Sequence, residues 1–185
     1  MSTQPPDYTE LFELDGTPVT VRSMRPEDRE IEDRFVRELS PDSRYLRFHA
    51  ALRQLSPGML ERFTHPDYPS EMALIATIAE GGGERQIGVA RYHRVPATDC
   101  AEVAVVVADD WQGKGLATRL LLRLREIALG NGIMHFEATV LPRNQRMLAL
   151  ARQLGFTRSP QQHSALAVEL GKELENPEDP DSGEG

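Results

Sequence analysis

Apolar positions along this chain fall into two rhythms, one of period two and one of period 3.6. Residues 103–107 read Val-Ala-Val-Val-Val, a β-branched run that predicts a buried strand. After the polar pair Asp109-Asp110 and a turn holding Gly113 and Gly115, the pattern changes. Leu116, Leu120, Leu121, Leu124, Ile127 and Ala128 recur at helical spacing, and a second strand is predicted over 134–140. Further upstream, a short strand is predicted over 19–21. Three helices follow, opened by Pro26, by Ser40-Pro41 and by Ser56-Pro57, since proline suits the first helical position and serine the cap before it. Their apolar faces are Ile31, Phe35 and Leu39; Tyr45, Leu46 and Phe48; and Met59, Leu60 and Phe63. Strands over 72–79 and 87–95, joined by Gly81-Gly82-Gly83, form a predicted hairpin that turns again into the 101–107 strand. A last helix over 144–154 carries Met147, Leu148, Ala151 and Leu154 on one face, with Gly155 at its exit, and a short strand over 164–170 closes the chain.

Antiparallel strands leading into a strand–helix–strand crossover predict an α/β (α+β) mixed sheet with helices on both faces. The strands around Val103 and Phe136 should be its parallel neighbours. At 185 residues one domain is the simplest reading, over 19–170, between a flexible segment 1–18 and an acidic, proline-rich tail 171–185 expected to be disordered.

The formal net charge of -8 argues against nonspecific binding to nucleic acid or an anionic membrane. A single cysteine, Cys100, excludes an internal disulfide and fits a reduced, cytoplasmic setting. No apolar run approaches the length of a membrane span, and the N-terminus lacks the charged and apolar regions of a leader. His93, His135 and His163 show no metal-ligand spacing, and no metal is expected. Composition leaves a monomer and a homodimer equally open.

The glycine turn before the 116–128 helix is the strongest chemical signal. Such a turn presents unpaired backbone N–H groups at the positive end of a helix dipole, a seat for phosphate or pyrophosphate, although a glycine pair also serves as a plain turn. Two phosphate motifs fail: Lys114 is followed by Gly115 rather than Ser or Thr, and the third glycine of G-x-G-x-x-G is replaced by Thr118. Gln112-Gly113-Lys114-Gly115-Leu116-Ala117 instead resembles the Q/R-x-x-G-x-G/A segment of the GNAT superfamily of acyl-CoA-dependent N-acyltransferases. The resemblance extends over about 19–170 and includes Asn144 and Leu154-Gly155-Phe156. It implies a central sheet splayed at a bulged strand, acetyl-CoA as co-substrate, and a cofactor site built from Val105, Val106, Val107, Gln112, Gly113, Lys114, Gly115, Leu116, Ala117, Thr118 and Asn144. Asn144 reads equally as a helix cap, and Trp111 either covers the cofactor or packs the turn. The strings AEVAVVVADDWQGKGLA and LSPDSRYLRF look like the protein-lysine acetyltransferase branch. That implies as acceptor a protein lysine such as that of an acyl-CoA synthetase; a small-molecule amine, or a non-catalytic acyl-CoA sensor, is the alternative.

Glu102, at the head of the apolar strand, is either a solvated strand-end residue or a general base; the resemblance favours the base. Where many relatives carry a tyrosine that protonates the leaving thiolate, this chain has Ala151, and Tyr45, Tyr68 and Tyr92 cannot be placed from sequence. Cys100 is expected to be an ordinary thiol rather than an acyl carrier.

Overall fold

The computed structural model describes residues 4–160 and 167–175. In chain order the elements are β1 (Glu10–Leu14), β2 (Thr17–Ser23), α1 (Arg29–Glu38), α2 (Pro41–Phe48), α3 (Pro57–Thr64), β3 (Glu71–Glu80), β4 (Gly83–Arg94), β5 (Cys100–Val107), α4 (Leu116–Gly130), β6 (His135–Val140), α5 (Gln145–Gln153), β7 (Thr157–Arg158) and β8 (Val168–Glu173). The strands make one sheet in the order β1-β2-β3-β4-β5-β6-β8-β7. Every pairing is antiparallel except β5 with β6. The strands around Val103 and Phe136 are therefore the parallel neighbours that the sequence predicts.

Two boundaries differ from the sequence reading. Glu10–Leu14, expected from sequence to lie in a flexible segment, is an edge strand in register with β2 from Glu10↔Val21 to Leu14↔Thr17. The link is Asp15-Gly16, both at positive φ (49° and 76°), the dihedral signs of a two-residue type I′ hairpin. Phe12 and Leu14 pack toward the core while Leu11 is 74% exposed, so the apolar alternation is diluted by an outward leucine. At the other end β8 runs to Glu173 and pairs with β6, beyond the residue 170 boundary. Of the predicted 164–170 strand, residues 164–166 lie outside the described residues, as does most of the acidic tail.

Ser40 and Ser56 cap α2 and α3, accepting from Ser43 N–H (3.1 Å) and Met59 N–H (3.2 Å), and Pro41 and Pro57 supply first residues that need no hydrogen-bond acceptor. Helix α4 packs on one sheet face through the fully buried Leu116, Leu120 and Leu124. Gly88 on β4 meets that helix so closely that a Cβ would lie 3.2 Å from Leu120 Cδ1, so the position tolerates no side chain without a shift. The opposite face is covered by α1, α2 and α3. There the anchor is polar. Glu32 of α1, 1% exposed, accepts from Gln86 Nε2 (2.5 Å) and from the Arg91 guanidinium. Arg91 also donates to the Phe63 carbonyl of α3 (2.6 Å) and stacks on the Phe63 ring (4.5 Å), which in turn stacks on Phe48 of α2 (6.3 Å). One buried carboxylate thus ties three covering helices to β4.

Removing Glu32 leaves a largely buried Arg91 without its counter-charge, a loss that usually costs about 3 kcal/mol or more. Glu32→Ala is expected to lower unfolding stability by about that amount in urea titration. A loss under about 0.5 kcal/mol, the level of an ordinary surface substitution, would show that the helical cover is held by its apolar contacts alone.

Candidate active site

The site begins where the sheet comes apart. Strand β5 pairs with β4 in unbroken register from Ala101↔Arg94 to Val107↔Gly88, but with β6 only over Cys100↔His135, Ala101↔Phe136 and Glu102↔Glu137. Beyond that point β6 continues alongside β8, through Ala138, Thr139 and Val140. The expected bulge in β5 is not the cause. The register shift in this sheet lies between β3 and β4, at Ala76/Thr77. The splay comes from β6 leaving a straight β5.

Alternation decides which β5 groups face the gap. Ala108 N–H donates to Ile87 O (2.8 Å) and Cys100 O accepts from Val95 N–H (2.9 Å). In an unshifted antiparallel ladder, Glu102, Ala104 and Val106 therefore also turn their backbone groups to β4, and Val103, Val105 and Val107 turn theirs the other way. The structure so divides the three valines proposed for cofactor contact. Val105 and Val107 offer backbone to the gap, while Val106 is committed to β4. The Val107 carbonyl is taken by Gln112 Nε2 (3.1 Å).

At the far end of β5 comes the glycine turn. Gly113 and Gly115 have φ of +75° and +86°, and a Cβ at either would meet nothing within 4 Å. Glycine is required there by backbone conformation, and the space above it is open. Gly115 is the N-cap of α4 and supplies no side-chain cap, so the first-turn N–H groups of Leu116, Ala117 and Thr118 are left to an outside acceptor. A capless helix start under open space, beside an unpaired strand edge, fits a pyrophosphate followed by an extended amide-bearing arm.

Side chains around the turn are mostly structural. Gln112 joins Val107 O to Ser43 Oγ (3.2 Å) and accepts from Arg146 (3.2 Å). Lys114 pairs with Asp15 (2.9 Å) and lies 5.0 Å from the Trp111 ring, and Trp111 is buried, packing the turn. Asn144 caps α5, accepting from Met147 N–H (3.2 Å).

Glu102 projects from the face covered by α1, α2 and α3, because it is in register with His93, which pairs with Glu71 of β3 (2.7 Å). On its other side it is in register with Glu137. Glu71, His93, Glu102 and Glu137 form a row across four strands. Glu102 and Glu137 are exposed and make no ion pair among the described residues. Arg47 of α2, absent from the sequence-derived site, belongs here. Desolvation, then the neighbouring Arg91 charge, pushes its guanidinium down to about 10 against the pull of Glu32 and Glu102. Its place in LSPDSRYLRF is the sequence signal that could have found it.

Tyr68 and Tyr92 are excluded from the cleft. Tyr92 faces α4, donates to Pro69 O (3.1 Å) and accepts from Asn131, which also takes the Tyr68 hydroxyl (3.0 Å). Tyr45 instead lines a groove of about 590 Å³ with Leu141, Pro142 and Arg143, at the mouth between α2 and the β6–α5 loop. Ala151 is buried. Burial first, then Glu137 and Asp99, pushes the Cys100 thiol up, which disfavours the thiolate an acyl carrier needs. His135 lies beside Cys100 and Asp99; His163 is outside the described residues.

One further connection escaped the sequence reading. Asp109, just past β5, accepts from Ser40 N–H (2.9 Å), Ser40 Oγ (2.7 Å) and Ser43 Oγ (2.7 Å), and Ser43 is also bonded to Gln112. The first turn of α2, on the cleft side, is thereby latched to the glycine turn's own loop.

The family model for acetyltransferase (GNAT) matches residues 25–156. An acetyltransferase of Pseudomonas aeruginosa is 37% identical over 142 residues, 77% of this chain and 76% of that protein. Acetyltransferase Pat of Mycolicibacterium smegmatis is 33% identical over 119 residues, 64% of this chain but 35% of that longer protein. Among solved structures, the GNAT domain of S. lividans PAT superimposes with a TM-score of 0.82 at 33% identity, covering 90% of this chain and 97% of that one.

The Asp109 latch has a pH signature. Burial works to raise the Asp109 carboxyl, but the Ser40 N–H and the Ser43 and Ser40 hydroxyls together outweigh it and hold the group below the usual carboxylate value. A group depressed in the folded state stabilises at pH above its unfolded value, about 3.9, and that contribution is lost as pH falls through the folded value. Asp109→Ala is expected to cost about 1 kcal/mol at neutral pH. Urea unfolding of the two proteins should converge below about pH 4; a gap that persists unchanged at low pH would mean the carboxylate's charge is irrelevant to the latch.

Proposed function

The chain belongs to the acetyltransferase (GNAT) family, and from that premise we propose that this acetyl-CoA-dependent N-acetyltransferase modifies a lysine side chain of a protein. The observation that carries the reading is the pairing of two features across the splay: a capless glycine turn at one end of β5 and an exposed carboxylate, Glu102, near the other. Acetyl-CoA supplies an acetyl group already activated as a thioester. The first-turn N–H groups of Leu116, Ala117 and Thr118 hold the pyrophosphate, and the Val105 and Val107 backbone edge orients the pantetheine arm and acetyl carbonyl. Gln112, Lys114 and Asn144 act by fixing the turn, the β1–β2 hairpin and α5 around that path. Glu102 accepts the proton of the acceptor ammonium, directly or through one water, so that the neutral amine can attack. Arg47 of α2 places a positive charge near Glu102. No side chain at Ala151 offers a proton to the departing sulfur; a thiol of ordinary acidity can leave as thiolate.

A protein acceptor is supported by the openness of the acceptor side. Glu102, His93 and Glu137 are exposed, and the mouth beside Tyr45 and Arg143 is a surface groove rather than a closed pouch. The LSPDSRYLRF string and the similarity to proteins named Pat and PAT support the same reading. A small polyamine is the second reading, because Glu71, Glu102 and Glu137 stand in one row across β3 to β6, with His93 of β4 between the first two, and would suit spaced cationic nitrogens. Incubation with radiolabelled acetyl-CoA and whole-cell lysate separates them. Label on protein is the expected outcome, and label confined to small amines would sink the proposal.

Two substitutions test the division of labour. Glu102→Gln should lower the rate by roughly 10² to 10⁴, leave coenzyme A affinity near its original value, and recover part of the loss as pH rises and more acceptor amine is neutral. Gly115→Val should do the reverse, weakening acetyl-CoA and free coenzyme A together, since a β-branched residue resists φ of +86° and fills the space above the turn. Calorimetric titration beside initial rates reads both. Near-normal turnover of Glu102→Gln at neutral pH would move the base to the Glu71–His93 pair.

A further inference from the structure

We propose that Asp99, Cys100 and His135 form a binding site for a borderline-soft divalent cation of the zinc type, at the start of the β5–β6 pair. His135 is remote in sequence from Asp99 and Cys100, lying beyond the whole of α4. Parallel pairing brings them together: Cys100 is in direct register with His135, and Asp99 precedes Cys100. Neighbours in register on adjacent strands project from the same face of a sheet, so thiol and imidazole stand side by side. The frame beneath them is fixed, because Asp99 O accepts from both Met134 N–H (2.7 Å) and His135 N–H (3.2 Å).

The donor atoms of the three side chains all lie within 4.8 Å of one another. In a tetrahedral zinc site, with sulfur at about 2.3 Å and nitrogen at about 2.0 Å, neighbouring donors stand about 3.5 Å apart, so modest side-chain rotations close the site. His135 Nδ1 is 3.7 Å from the Asp99 carboxylate, too far for a hydrogen bond, and is buried with no hydrogen-bond partner among the described residues. A buried ring nitrogen normally finds a partner, and here a carboxylate and a thiol stand within reach of it. Thiolate, imidazole and carboxylate are the zinc donor types, whereas magnesium and calcium take oxygen donors alone. Three protein ligands leave a fourth position for water. Cys100 is half-buried and Asp99 exposed, so the site has an open approach.

Its location gives the site a consequence. Cys100 and Glu102 are two positions apart on the same strand face, about 7 Å along the strand. A cation held between Cys100 and His135 would sit beside the Glu102–Glu137 pair, one same-face position back along both strands. The site is built from residues that have no part in the proposed acetyl transfer, so its binding can be read whether or not Glu102 is the base.

The test is titration of the tag-free full chain with cobalt(II), followed by displacement with zinc(II). The expected result is one equivalent of cobalt with a thiolate-to-metal absorption band in the near ultraviolet, abolished by zinc. Cys100→Ser should remove the band. Loss of even an outer-shell partner costs roughly 10–100-fold in metal affinity, so His135→Gln and Asp99→Asn should each weaken binding at least tenfold. Thermal unfolding without metal checks that the variants remain folded. Absence of the band in the unsubstituted protein would overturn the proposal, and so would cobalt binding that is indifferent to His135→Gln in a folded variant.

Discussion

The structure depends on how short one ladder is. Parallel pairing of β5 and β6 lasts for three residues and stops at Glu102↔Glu137. Had it continued, the backbone of Val105 and Val107 would be consumed by β6, and the sheet would offer no polar edge inside its own plane. Because β6 is drawn away by six residues of antiparallel pairing with β8, from His135↔Glu173 to Val140↔Val168, that edge is left to whatever enters the gap. An unpaired strand edge is a liability in most proteins. Here it lies between two packed strands, where another chain cannot reach it as an edge and an extended amide-bearing ligand can.

The two faces of the sheet solve different problems. The α4 face is held by apolar interdigitation, with Gly88 giving way to Leu120. The opposite face carries Arg91 and Glu32, and its helices are short. None of them would persist alone in water. They are held by Glu32, by the Arg91–Phe63 contacts, and by the Asp109 latch on α2. That latch and Gln112 join the cover to the loop that enters the glycine turn. The two halves of the cleft, one for a phosphate-bearing donor and one for an amine, are therefore mechanically continuous through Ser43.

What the sequence made legible follows from range. The 116–128 helix, the glycine turn and the proline-capped helices are local patterns, and each appears in the structure near where periodicity places it. Glu102 stands out by its place at the head of β5 and by the resemblance; the face it projects from is set by its pairing with His93. Beyond that, reading failed wherever the partner was distant. Strand β1 is hidden in the sequence because Leu11 points outward and breaks the apolar alternation. The cause of the splay was misplaced because the departure of β6 depends on β8. Gln112, Lys114 and Asn144 read as ligand-binding side chains by resemblance, yet their described contacts are to Val107, Asp15 and Met147. Asp109 and the Cys100–His135 neighbourhood needed tertiary pairing to become visible at all.

This contrast also explains why the donor is easier to infer than the acceptor. The donor half is made of backbone: an edge exposed by ladder termination, and a helix start whose requirement is two residues at positive φ. Those needs leave a compact local record, a pair of glycines after a β-branched strand. They place little demand on other side chains, which are free to vary. The proposed acceptor half is made of side chains brought from α2, β3, β4, β5 and β6. Its charge pattern depends on long-range register, so no single stretch encodes it. A sequence motif can report a backbone site because the site is local; it cannot report the Glu71, His93, Glu102 and Glu137 row, which exists only once four strands are aligned.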